Sequence, residues 1–169
     1  MDKIFGFNIK RAVVIMVCFV GLAAVTTFIT YYQLKPFAVK SELSELVVND
    51  ITFAGIFINN LIVSIVAVLG VFLFRIPSIL VLLVNPIVLG FVLGSSWVST
   101  NEIYYFIRII MPHSIFEIPA LSIACAIGTE GSKIFSKYSK SSILRACGLI
   151  VILLLIAAFV ECNISAKNI

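Results

Sequence analysis

TFAGIFINNLIVSIVAVLGVFLF (Thr52–Phe74), RIP (Arg75–Pro77) and SILVLLVNPIVLGFVLGSSWV (Ser78–Val98) follow one another without a polar interval. At ~1.5 Å of helical rise per residue, each apolar run can cross a hydrocarbon core ~30 Å thick. Arg75, Ile76 and Pro77 form the break between them, and Pro77 suits the first turn of a new helix. The stretch therefore reads as a helical hairpin immersed in lipid, with spans at 52–74 and 76–98.

The rest of the chain extends this pattern. Upstream, residues 12–30 form another apolar run, preceded by Lys3, Lys10 and Arg11 and followed by Tyr31 and Tyr32. It is long for a signal-peptide core and reads as a retained signal-anchor helix. Between the first two runs lies the most polar segment, Gln33 to Asp50. There Val39, Leu43, Leu46 and Val47 recur at helical spacing, which predicts a short amphipathic surface helix or a solvated loop.

Downstream, residues 103–128 are apolar but interrupted by Arg108, Pro112, His113, Glu117 and Pro119, so this fourth span is expected to be kinked or broken at Pro112 and Pro119. Residues 129–145 are polar and basic, and a fifth run covers 142–160. GTEGSK (Gly128–Lys133) lacks the spacing of a phosphate-binding loop and reads as a helix stop followed by a loop.

Composition agrees. The 169 residues are 62% hydrophobic and 12% charged, with a mean hydropathy of +1.19. A soluble domain of this length cannot hide that much apolar surface. The expected fold is all-α: a single polytopic membrane bundle over residues 1–169, with about five transmembrane helices. The net charge of +4 does not point to nucleic acid, because the basic residues sit at the ends of apolar runs rather than in a stripe with aromatics. Cys18, Cys125, Cys147 and Cys162 read as small buried hydrophobes rather than a disulfide framework.

Charge placement orients the bundle. With the N-terminus inside, Lys3, Lys10, Arg11, Arg75, Lys133, Lys137, Lys140 and Arg145 fall in inner segments, and only Lys35, Lys40 and Lys167 fall outside. Glu42, Glu45, Asp50, Glu102 and Glu161 fall outside, against Asp2 and Glu130 inside. Tyr31, Tyr32, Trp97, Tyr104 and Tyr105 all fall at the outer boundary. The expected topology is N-inside and C-outside in the cell membrane.

Polar residues within the spans need partners or a purpose, since a charge at the bilayer centre costs about 2.5–3.5 kcal/mol on insertion scales. Asn59 and Asn60, Asn85, and His113 with Glu117 fall at similar mid-bilayer depth. His113 and Glu117 are four apart, on one face of a helix. The five residues form either a proton-linked or ligand-binding site, or a hydrogen-bonded knot that fixes helix register; with no gated pathway in view, the knot is preferred. Gly90 and Gly94 form a GxxxG pair, read as packing within one subunit ahead of a homo-oligomer seam. Pro86 is expected to bend the third span and free a carbonyl for asparagine side chains.

Catalytic patterns are missing. His113 is the only histidine, no HExxH occurs, and His113 with Glu117 gives too few ligands for a closed zinc site. Asp2 and Asp50 lie at membrane edges, and Ser114 adjoins His113 without facing it, so a triad cannot be assembled. No enzyme activity, metal or cofactor is expected.

IFINN (Ile56–Asn60), Asn85 with Pro86 before a glycine-rich half-span, and above all PHSIFEIPAL (Pro112–Leu121) resemble the stage II sporulation protein M family. The resemblance covers nearly the whole chain; Ser114 stands where the family pattern has glycine, and proline follows the Asn85 step. It implies a small multi-spanning protein without known catalytic activity. The sporulation member of that family assembles with two cell-wall hydrolases in engulfment, so the resemblance implies a scaffold that assembles partner proteins at the membrane. Relatives beside circular-bacteriocin genes imply the alternative of export of, or immunity to, a hydrophobic peptide. Expected partners are membrane lipid and other membrane or cell-wall proteins, such as peptidoglycan hydrolases or an ABC transporter.

Overall fold

The computed structural model describes residues 3–4, 7–37, 52–100 and 103–165. Among these the chain is helical, apart from a pair of two-residue strands, β1 (Lys3–Ile4) and β2 (Phe7–Asn8). The long helices are α1 (Ile9–Leu34), α2 (Phe53–Leu69), α3 (Ile76–Thr100), α4 (Ile103–Glu130) and α6 (Lys140–Val160), with a four-residue α5 (Ile134–Lys137) before the last. Three helical segments are long and apolar enough to cross a membrane: Ile9–Leu34, Ile76–Ser99 and Lys140–Asn163. Phe53–Leu69 is a shorter apolar helix.

Local chemistry sets the helix starts. The Thr52 side chain accepts a hydrogen bond from the Gly55 N–H at 3.2 Å and caps α2. Ser139 accepts from the Ser142 N–H and caps α6 in the same way. Both satisfy amide groups that the first helical turn leaves unpaired.

Helix α2 stops at Leu69, earlier than the apolar run, which continues to Phe74. The chain then turns through Gly70–Arg75, where Phe74 and Arg75 take left-handed φ values of 52° and 68°. Such conformations are unfavourable for residues with a Cβ, and here tertiary bonds hold them. The Ser78 hydroxyl donates to the Ala67 carbonyl at 2.6 Å, tying α3 back onto α2. The Arg75 Nη2 donates to the Glu130 carbonyl at 3.4 Å. Helix α4 ends beside this turn, and Gly131, at φ 65°, supplies the left-handed residue that ends many helices.

Helix α4 is continuous through Pro112 and Pro119. Of the two forms expected for the fourth span, kinked or broken at Pro112 and Pro119, the broken one is not found; helices accommodate proline within membranes by local adjustment of the freed backbone groups. Helix α3 likewise runs through a fully buried Pro86.

Close approaches show how the helices run. Gly90 sits on Ala23 and Thr26 of α1, and Gly94 on Thr27 and Thr30, so α1 and α3 are parallel. Tyr31 stacks on Trp97 at the far end, with ring centroids 4.1 Å apart. Gly128 of α4 lies against Ala67 and Ser78, while Glu117 lies level with Asn60 and Asn85; α4 thus runs parallel to α2 and opposite to α3. Its second half is the centre of the bundle, with Ala120, Ala124, Cys125, Ala126 and Ile127 almost inaccessible. The outer faces are apolar, with Val17, Leu83, Phe91, Ile152 and Phe159 exposed. An apolar exterior is what lipid as solvent selects.

All four cysteines are free. Cys125 is buried and its thiol approaches the Ser78 carbonyl at 3.7 Å. Cys18 is exposed, which corrects its reading as buried: it lies on the outward face of α1. The amphipathic segment expected up to Asp50 falls mostly outside the described residues; its first part, Lys35–Phe37, is a short 3-10 helix.

Candidate functional site

Four helices meet around a small polar cavity of about 100 Å³. Helix α2 contributes Asn59, Asn60, Val63 and Ser64, α3 contributes Asn85, α4 contributes Glu117 and Leu121, and α6 contributes Leu154. The residues come together because each polar group lies at the same level of an otherwise apolar helix. Asn60 and Ser64 are one turn apart on one face of α2, as are Glu117 and Leu121 on α4.

The hydrogen bonding is sparse. Asn59 Nδ2 donates to Asn60 Oδ1 at 3.4 Å. Asn85 Nδ2 donates to the Val81 carbonyl, one turn back in its own helix, at 3.0 Å. This is not the carbonyl that Pro86 leaves unpaired, which belongs to Leu82. The Ser64 hydroxyl is buried, with the residue 2% exposed, and has no hydrogen-bond partner. Among the described residues, no side chain donates to the Glu117 carboxylate. The structure brings Asn59, Asn60, Asn85 and Glu117 to one cavity, and among the described residues the hydrogen bonds do not close them into a single knot. Helix α4 carries the backbone of His113 one turn before Glu117; the side chains of His113 and Pro112 lie outside the described residues. Sequence reasoning missed Ser64, although its spacing of four from Asn60 was a usable signal.

The opposite side of α4 borders a second space. An open cleft of about 720 Å³ lies between α1, α3 and α4, walled by Val17, Val20, Leu89, Leu93, Ile115 and Ile118. Gly21, Ala24 and Thr27 form part of its floor. A Cβ on Gly21 would meet nothing within 4 Å, so the space above this glycine is not filled by the chain itself. Gly90 and Gly94, in contrast, are consumed by packing on α1, which places the GxxxG face inside the subunit.

A third cluster ties the helix ends beside the Gly70–Arg75 turn. Glu130, whose side chain is only 8% exposed, accepts from Arg11 and Lys137, both at 2.7 Å through Oε1. Burial alone would raise the Glu130 carboxyl, but hydrogen bonds from Lys137 and Arg11, and their positive charges, outweigh it and hold the carboxyl below its ordinary range. A carboxyl depressed in the folded state stabilises the fold fully above its unfolded-state value and loses that contribution as pH falls through the folded one. The cluster joins α1, the α2–α3 turn, α4 and α5 at one end of the bundle. In the sequence it was announced only by a lone acid among the basic residues 129–145.

Among the described residues no group of three or more His, Cys, Asp or Glu side chains is placed to hold a metal ion.

Comparison with known proteins adds three findings. The model of the family described as stage II sporulation protein M matches residues 9–166. A Methanocaldococcus jannaschii protein described as uncharacterized is 25% identical over 171 residues, covering 94% of this chain and 96% of its own length. No solved structure matches the chain.

Proposed function

The chain belongs to the stage II sporulation protein M family, and from that premise we propose that it is a non-catalytic, five-span scaffold of the cell membrane that receives an apolar transmembrane helix of a partner protein. The observation that carries this reading is the cleft between α1, α3 and α4. It opens on the outer, apolar side of the bundle, and small residues at helical spacing, Gly21 and Ala24, lie in its floor. Small residues let helix backbones approach closely, which is the main source of helix association in lipid. From Met16 to Thr27 the α1 wall is about 16 Å long, or three helical turns, enough to seat part of a crossing helix. Membrane anchors of cell-wall hydrolases are the partner class suggested by the family resemblance.

Photo-crosslinking in native membranes tests this. A photoreactive residue at Val17 or Ile115 should give a discrete adduct mapping to the apolar segment of a partner membrane protein, and Gly21→Leu should abolish it. The same probe at Phe159, exposed on α6, should label lipid only. Lipid adducts alone from all three positions would contradict the scaffold reading. An adduct to a short hydrophobic peptide would replace it with the export or immunity alternative.

A further inference from the structure

The cavity of about 100 Å³ among α2, α3, α4 and α6 has an arrangement that scaffolding does not require. The amide nitrogens of Asn59 and Asn85 are both engaged elsewhere, on Asn60 Oδ1 and the Val81 carbonyl. Among the described residues nothing donates to the side-chain oxygens of Asn59 and Asn85, which leaves both available as ligands. The Ser64 hydroxyl is buried without a partner and lines the same space. Glu117 adds a carboxylate to which no described side chain donates. We propose that this cavity binds one partly dehydrated alkali-metal cation, held by side-chain oxygens of Asn59, Ser64 and Asn85 and balanced by the Glu117 carboxylate.

The donor chemistry selects the ligand. Amide, hydroxyl and carboxylate oxygens suit hard cations, and among the described residues no thiol or imidazole lines the cavity. A single lining carboxylate matches a single positive charge, whereas divalent cations usually recruit more than one acid or keep a shell of waters. The volume suits an ion with accompanying water, since one water needs only about 10–15 Å³ by this kind of measure. A bound cation also gives the buried, unpartnered Ser64 hydroxyl a ligand to face and the Glu117 carboxylate a counter-charge within the membrane. The nearby titratable groups are Glu161, beyond α6, which acts on Glu117 electrostatically, and His113, one turn earlier in α4. Glu161 adds further negative potential and so favours a cation. The inference stands apart from the scaffold reading, because the cavity and the cleft lie on different sides of α4.

Thermal unfolding of the full chain in lipid nanodiscs tests it. Sodium, potassium, N-methylglucamine, magnesium and calcium chlorides are compared at matched ionic strength. A ligand that binds only the folded state raises the melting temperature with the logarithm of its concentration. Sodium or potassium should do so relative to N-methylglucamine. Glu117→Gln should lose the response, and Ser64→Ala should need several-fold more cation for the same rise. If Glu117→Gln does not fold, Ser64→Ala decides the matter. Equal melting in all chlorides, a response to the divalent salts alone, a response retained in Glu117→Gln, or an unchanged response in Ser64→Ala overturns the proposal.

Discussion

Gly128→Ala should lower the stability of the folded bundle by about 2–4 kcal/mol, at the upper end of what overpacking does in well-filled cores. On an exposed helix the same change would gain about 1 kcal/mol of helix propensity. Here a Cβ would fall well inside contact distance of the Ala67 carbonyl oxygen and the Ser78 hydroxyl. Neither can give way easily. The carbonyl is backbone, and the hydroxyl is committed to that same carbonyl at 2.6 Å. The added methyl therefore pushes α4 away from the α2–α3 turn, where Cys125 also approaches the Ser78 carbonyl. The measurement is the unfolded fraction in a mild detergent titration, with Gly148→Ala as control. A Cβ at Gly148 meets nothing within 4 Å, so that variant should match or exceed the parent. Equal stability of the two alanine variants would show that the α4–turn contact is looser than described.

Gly90→Leu should have the second large effect, a loss of at least about 3 kcal/mol and a collapse in the yield of folded protein. The Gly90 face is pressed onto Ala23 and Thr26 of α1. A leucine there separates two parallel helices along their length and also strains the Thr26 hydroxyl, which bonds the Leu22 and Ala23 carbonyls at 2.9 Å. Gly94 repeats the contact one turn on, against Thr27 and Thr30, so relief by tilting is blocked. Gly21→Leu, on the cleft side of α1, should leave stability nearly unchanged. Size-exclusion profiles of the two variants check this: Gly90→Leu should aggregate and Gly21→Leu should elute as the parent does.

The contrast between these glycines marks what a sequence can convey. Hydropathy located the helices, because lipid demands long apolar runs whatever their neighbours. It also matched the depths of Asn59, Asn60, Asn85 and Glu117, since rise per residue is fixed along a helix. It could not tell Gly21 from Gly90: both sit in apolar runs, and in a bilayer the buried and lipid-facing sides of a helix are equally apolar. The cleft was invisible for that reason. Cys18 was misjudged on the same grounds, as an apolar residue that faces outward. Ser64 was overlooked because a hydroxyl in an apolar run is easily satisfied by its own helix, and only the structure shows that this one is not. Helix α2 ends at Leu69 rather than at the end of its apolar run because the Ser78–Ala67 bond and the left-handed Phe74 and Arg75 form a turn that hydropathy does not register. Glu130 looked like a minor exception to the inner basic bias and is instead the centre of the cluster that joins four elements.

The central claim is that the helices alternate across the membrane, with the Arg11–Glu130–Lys137 cluster inside and the Tyr31–Trp97 pair outside. Cysteine labelling tests it most directly. With the four native cysteines replaced, Ser99→Cys and Ser136→Cys introduce single thiols at two exposed positions at opposite ends of the bundle. In intact cells a membrane-impermeant maleimide should label Ser99→Cys fully and Ser136→Cys only after permeabilisation. Labelling of both in intact cells, or of Ser136→Cys alone, would contradict the account.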